Sequence, residues 1–327
     1  MGEFNEASTN NGNSFVNFLK MVWREYSVVV IFIIAFIFCA VITQGKFATP
    51  NNVTAILRNI STIGIISLGM TFVLITGGID LSSGPVLATA GTVLILLQGS
   101  GAVPLVVAIL ACVGTAVGFG FVNGIIITKA KLPPFIVTLA IGIIARSITT
   151  FVTQGATIVG KNVPEFTNIG NGDFLMLPVP FWIWIISAVV LAVLLTKTKF
   201  GTYVFAVGGN EVAAKYSGIK VDRIKIWTYM LIGLCVAIGA VIDMSRMAAV
   251  SSTSSGNLYE FEAITAAVVG GTAITGGKGK IVGTVIGALF LGVVSNMMIM
   301  MSISPYLNGA VKGAVILMAV LFQRRDR

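Results

Sequence analysis

Histidine is absent from all 327 residues. Without an imidazole there is no histidine metal ligand, no histidine general base and no Ser-His-Asp triad. Acidic side chains number only 12, and charged residues together make up 10% of the chain, against about 25% in soluble domains. The three cysteines, Cys39, Cys112 and Cys235, stand singly inside apolar runs with no Cys-x-x-Cys spacing. They read as small packing residues, not as metal or redox groups. An enzyme needs a converging nucleophile, base or metal, and the material for one is scarce. No catalytic residue, metal site or cofactor is assigned to this chain.

Apolar residues are abundant instead, at 56%. Runs near 20 residues recur from end to end, the length that crosses a bilayer as a helix. Short alternating strands, the mark of a barrel, do not stand out, so the expectation is an all-α, polytopic helical membrane protein. Residues 1–14 are polar and read as disordered. Residues 15–26, FVNFLKMVWREY, mix aromatics with Lys20 and Arg24 as an interfacial helix does. The first apolar run starts too late and lacks the exit site of a cleavable signal peptide. Ten spans are expected: 27–43, 54–76, 84–98, 102–128, 134–153, 180–196, 225–244, 260–275, 281–301 and 307–322. With both termini cytoplasmic, fifteen Lys and Arg fall on the inner side and four (Lys46, Arg58, Lys161, Arg246) on the outer. That asymmetry obeys the positive-inside rule. It accounts for the net charge of +9 by topology, without a nucleic-acid partner. The chain divides into residues 1–26 (cytoplasmic tail and interfacial helix), 27–323 (the membrane domain, with a long cytoplasmic segment at 197–224) and the tail 324–327.

Several local patterns invite a chemical reading. GATIVGKN at residues 155–162 nearly matches a phosphate loop, but Asn162 stands where the magnesium-binding hydroxyl belongs and no strand leads into it. An ATP site there is rejected. The inner segment holds a short predicted helix from Asn210, an N-cap residue, with Glu211 in its first turn and a stop at Ser217-Gly218. Ala213 and Ala214 are small enough for close approach by a partner, and the competing reading is an ordinary basic inner loop. LGMTFVLITGGIDLSSG, residues 68–84, places Asp80 after Gly77-Gly78 and before Ser82, Ser83 and Gly84. A carboxylate at the bilayer centre costs roughly 2.5 to 3.5 kcal/mol. Asp80 therefore either stabilises the start of the next helix at a helix break or contacts solute. ITGG recurs at 274–277 and reads as a second, similar break. Arg146 and Lys312 fall within spans, where they snorkel, pair with acids or line a pathway. Asp243 and Arg246 are spaced for a local pair. Asn123 is a mid-span polar group suited to helix packing or a pathway lining, and the glycines of 114–124 and 283–292 suit close helix packing.

GGNEVAAKYSGI resembles the coupling loop of binding-protein-dependent ABC importers. GMTFVLITGGIDLSSG and EAITAAVVGGTAITGGKGKIVGTVIGALFLG, residues 262–292, are similar to signatures of the ribose-type sugar permeases among them. The resemblance covers the chain from about residue 25. It implies a type II ABC importer-like permease in the cell inner membrane, translocating a monosaccharide delivered by a periplasmic or extracellular binding protein. It further implies a second permease subunit, identical or related, with the path between the two. A cytoplasmic ATPase would carry ATP and magnesium, and Glu211, Ala213, Ala214, Ser217 and Gly218 would dock into it. A path for an uncharged sugar accommodates a chain with few acids and bases. The rival is an ion-coupled secondary transporter of a small neutral solute, with Asp80 or Arg146 as its coupling group.

Overall fold

The computed structural model describes residues 29–30, 32–304, 307, 309–311, 313–314 and 317. The chain is mostly helical, and seven of the described helices are long and apolar enough to cross a membrane: α2 (Pro50–Ile75), α3 (Ser83–Ser100), α4 (Leu105–Lys129), α5 (Pro134–Thr153), α7 (Val179–Lys197), α10 (Val221–Met247) and α12 (Ile281–Met300). Around them lie the shorter α1 (Phe32–Ile42), α6 (Pro164–Asn171), α8 (Lys199–Gly209), α9 (Glu211–Tyr216) and α11 (Tyr259–Val269). Proline opens α2, α5, α6 and α7 within their first two positions, where its missing N–H has no helical partner to lose.

α2 is the axis of the fold. Every residue from 60 to 76 is buried, in a stretch that carries no charged side chain, and α2 packs against α7, α10, α11 and α12. α4 lies along α10, where Gly120 and Gly124 bring the backbones together: a Cβ on Gly124 would sit 2.7 Å from Ile226 Cα, and one on Gly120 would collide with the Tyr229 carbonyl. This is the close small-residue packing expected for that stretch. Gly114 and Gly118 have no such neighbour. The large apolar side chains left exposed on α4, α5 and α7, such as Leu110, Ile148 and Val190, suit hydrocarbon, which asks only that backbone polar groups be satisfied within the helix. All three cysteines are free and buried.

Two small antiparallel pairings break the all-helical pattern. β1 (Thr157–Val159) pairs with β4 (Ala249–Ser251), with Ile158 opposite Val250, and β2 (Asp173–Phe174) pairs with β3 (Leu177–Pro178).

The expected count of ten spans is not confirmed among the described residues, where seven helices are long and apolar enough to cross. The stretch 260–275 is not one continuous helix: α11 ends at Val269, and residues 270–280 are non-helical, with Gly270, Gly271, Gly276 and Gly277 interrupting the run. Residues 197–224, expected as a loop with one short helix, hold two, α8 and α9, separated by Asn210. The helical face of α8 was obscured by Gly201, Gly208 and Gly209. Within the first expected span the described residues include the eleven-residue α1. Residues 15–26, both tails, most of the tenth span and Lys312 lie outside the described residues.

Candidate functional site

α9 is built as its sequence specifies. Asn210 Oδ1 accepts the Ala213 N–H at 2.9 Å, capping the first turn. At the other end Gly218 takes a left-handed backbone, φ 81°, and the Ile219 N–H reaches back to the Ala214 carbonyl at 3.1 Å, which satisfies carbonyls the helix would leave open. Glu211 is tied to Lys225 of α10 at 2.6 Å. Val212 and Tyr216, one turn apart, are 64% and 90% exposed, an apolar pair offered outward from a polar face. Of the residues expected to meet a partner, Glu211, Ala213, Ser217 and Gly218 are exposed, whereas Ala214 is buried and packs into the chain's own core. Ala214 thus packs within the chain, and Val212 and Tyr216 are the large side chains that this helix leaves exposed, which the sequence reading did not single out. Their signal was present in two large side chains at i and i+4 on a polar helix.

The ends of two broken elements meet beside α9. Both ITGG words form helix breaks: Gly77 closes α2 with φ 75°, and Gly276 and Gly277 take φ 89° and 75°. The two touch, because the Gly277 N–H donates to the Ile75 carbonyl at 2.9 Å. Gly208, at the end of α8, packs on both: a Cβ there would collide with the Ile75 carbonyl and lie 2.7 Å from the Gly277 nitrogen.

Asp80 lies in the short link between α2 and α3. It is 3% exposed, and its Oδ1 accepts the Ser82 N–H at 2.7 Å and the Ser82 hydroxyl at 2.6 Å. Ser82 is the N-cap residue of α3 and makes no side-chain cap itself. Asp80 thus shapes the turn that starts α3 rather than capping its first free N–H groups. The Asn123 side-chain amide of α4 donates to the Ser82 hydroxyl at 2.8 Å, so a relay runs from Asn123 through Ser82 to Asp80. Asn123 is 1% exposed and acts as a packing and hydrogen-bonding residue. The link is clamped from two further sides. Thr138 of α5 accepts the Leu81 N–H at 3.0 Å, and the Tyr229 hydroxyl of α10 donates to the Ile79 carbonyl at 3.3 Å. Gly84 lets the start of α3 press on α11 and the strand-to-helix link before it, since a Cβ would collide with Glu260 Oε2 and the Gly256 carbonyl.

Arg146, on α5, pairs with no acid at salt-bridge distance among the described residues. Its Nη1 donates to the carbonyls of Ser252 and Ser255, at 2.9 and 2.8 Å. That anchors the segment between β4 and α11, and Glu260, in the first turn of α11, is buried with its Oε2 unpartnered. Ser147 and Thr150 on α5 and Gln154 just after it are exposed beside the half-buried Arg146, and with Phe151 they edge an open depression of about 510 Å³. Single polar residues within an apolar helix concealed this strip from pattern reading. Asp243 and Arg246 pair at 3.2 Å as expected, and Arg246 also donates to Asn59 Oδ1 at 2.7 Å. In GATIVGKN the backbone of Lys161 exchanges two hydrogen bonds with the Gln98 side-chain amide, at 2.6 and 2.9 Å. The stretch braces the end of α3 from the loop that follows α5.

Residues 52–320 match the family described as branched-chain amino acid transport system / permease component. The chain is 43% identical over 285 residues to the ribose import permease protein RbsC of Bacillus subtilis (strain 168), covering 87% of this chain and 88% of that protein. It is 39% identical to the RbsC of Escherichia coli (strain K12), with 86% and 88% covered. Identity is 37% to the L-arabinose transport system permease protein AraH of the same organism, with 93% and 91% covered. No solved structure matches.

Proposed function

The chain belongs to the branched-chain amino acid transport system / permease component family, and from that membership we propose how its parts divide the work of transport. It is the multi-pass permease subunit of a sugar ABC importer. The observation that carries the reading is the near full-length match to permeases named for ribose and for L-arabinose. The substrate class is accordingly a monosaccharide of pentose size. ATP and magnesium belong to a separate cytoplasmic ATPase, sugar is delivered by a binding protein on the opposite side, and both chain termini face the cytoplasm.

α9 is the docking element. Its exposed Val212 and Tyr216 suit an apolar groove, and burial of such side chains contributes about 1.5 to 3 kcal/mol each. Movement of α9 reaches the membrane through α8, whose Gly208 abuts the break after α2 and the break after α11. The path itself runs between two permease subunits along the polar strip of α5. Support comes from Arg146, Ser147, Thr150 and Gln154: polar side chains at membrane depth face water or protein rather than lipid, and hydroxyl-rich solutes are held by such donors and acceptors. Asp80 and its relay to Asn123 hold the fold of the break, away from solute.

The test is reconstitution of the chain with candidate ATPase and binding proteins, followed by uptake of a monosaccharide panel. Uptake should require ATP and ignore collapse of proton and sodium gradients. Substituting Glu211→Arg, which sets two cations against each other at the α9–α10 pair, should weaken ATPase association. Normal association and uptake in that variant would remove the docking role from α9, whereas gradient-dependent uptake would remove the ATP-driven reading.

A further inference from the structure

Behind α9, where the inner ends of α4, α5 and α10 converge, lies a cavity of about 650 Å³. Its two acids are already matched: Glu211 with Lys225 at 2.6 Å and Asp222 with Lys129 at 3.5 Å. Four further cations, Lys131, Lys215, Lys220 and Arg223, line the same cavity and form no ion pair among the described residues. They come from three places in the chain: the α4–α5 turn, α9, and the start of α10 with the turn before it. Folding thus brings Lys131 to three cations that lie within nine residues of one another, an arrangement that repels itself until an anion enters.

Three observations specify that anion. The cavity faces away from the docking pair, since Glu211 and Lys215 line it while Val212 and Tyr216 do not, so an ATPase seated on the outward side leaves it open. Lys131 is held with φ 54°, an uncommon backbone for a residue with a side chain, and the following Leu132 is constrained in turn by Pro133. The third is an apolar border at the membrane edge: Leu132 on the rim, with Phe135 and Ile136 exposed on the first turn of α5. An acidic peptide has no use for that border, whereas an acyl chain does.

We propose that this cavity binds the phosphate of an anionic phospholipid of the inner leaflet, held by Lys131, Lys215, Lys220 and Arg223 with the acyl chains along the start of α5. The lipid ties the α4–α5 turn to α9 and so sets the resting position of the docking element. The inference rests on the membrane topology and on the docking role proposed for α9, and not on the identity of the transported sugar.

The purified full-length chain is placed in neutral-lipid nanodiscs doped with phosphatidylglycerol, and the lipid retained after extraction is read by native mass spectrometry. Lys131→Gln/Arg223→Gln should lower retention about fivefold for each cation removed, the equivalent of one basic side chain's attraction to an anionic surface. Lys278→Gln/Lys280→Gln, on the turn outside the cavity, should leave it unchanged, and size-exclusion profiles report the fold of each variant. Equal retention in the cavity variant, or equal loss in both, overturns the site. Displacement of the lipid by millimolar inorganic phosphate assigns it to a free anion and overturns the lipid source. Loss of ATPase association with unchanged lipid retention assigns it to an acidic protein segment and likewise overturns the proposal. Retention is read without transport, so failure of the sugar-importer reading leaves this test standing.

Discussion

The Gly277 N–H donates to the Ile75 carbonyl at 2.9 Å, joining the end of α2 to the turn that follows α11. Ile75 lies at the first residue of one ITGG word and Gly277 at the last residue of the other, so two distant copies of the same tetrapeptide form one contact. Gly208 fills the remaining space beside it.

Gly208→Ala should therefore destabilise this junction, because the new methyl group meets backbone that cannot rotate away. Overpacking of this kind costs about 1 to 3 kcal/mol. The denaturation midpoint in detergent measures it, and a midpoint equal to wild type would mean that the three segments yield. In the assembled importer the same variant should reduce coupling between ATP hydrolysis and uptake.

Asp80→Asn keeps an oxygen that accepts from the Ser82 N–H and hydroxyl, so folding and assembly should survive. Asp80→Ala leaves those buried donors without an acceptor, a loss of about 1 to 3 kcal/mol. A double-mutant cycle between Asp80→Ala and Asn123→Leu should show a coupling of about 0.5 to 3 kcal/mol, as expected for members of one hydrogen-bonded network. Additive effects would break the relay. A selective loss of uptake in Asp80→Asn with assembly intact would move Asp80 into the solute path.

Arg146→Gln removes charge-assisted hydrogen bonds to two carbonyls, each worth about 1.5 to 3 kcal/mol. Residues 252–255 should then loosen, seen as faster hydrogen exchange there while α2 stays protected. Arg146→Lys should restore only part of the protection, because a single ammonium does not reproduce the planar guanidinium. Unchanged exchange in Arg146→Gln would deny the anchor.

Tyr216→Ala should weaken ATPase association without loss of permease fold, since the side chain is almost wholly exposed. Asn210→Ala acts on the same helix from inside and should cost about 0.5 to 2 kcal/mol of local stability. Co-purification with the ATPase reads both. Association unaffected by Tyr216→Ala would place the docking surface elsewhere.

Much of this was legible in the residues because local chemistry decided it. The Asn210 cap, the Gly218 stop, the Gly77 turn and the Asp243–Arg246 pair are all short-range, and each formed as its spacing predicts. What stayed hidden depends on residues far apart in the chain. Apolar run length could not reveal that α11 stops after eleven residues, because the run continues through glycines whose left-handed turns are satisfied by contacts with α2 and α8. Ala214 looked like a site of partner approach and is buried, since α9 packs one face on its own core. The polar strip of α5 is spread thinly through an apolar helix and becomes visible only when burial shows which face is left uncovered.

The pairing of Thr157–Val159 with Ala249–Ser251 has a mechanical consequence. It splices the loop after α5 to the chain that leads directly into α11, so these segments share one rigid edge. A protein pressing on that edge from outside would deliver its load to Glu260 and Gly84 through a few residues of connecting chain, without bending any complete transmembrane helix. Loads from the β1–β4 edge and from the α8–α9 side would thus enter α11 at opposite ends, making that short helix a strut loaded from both sides.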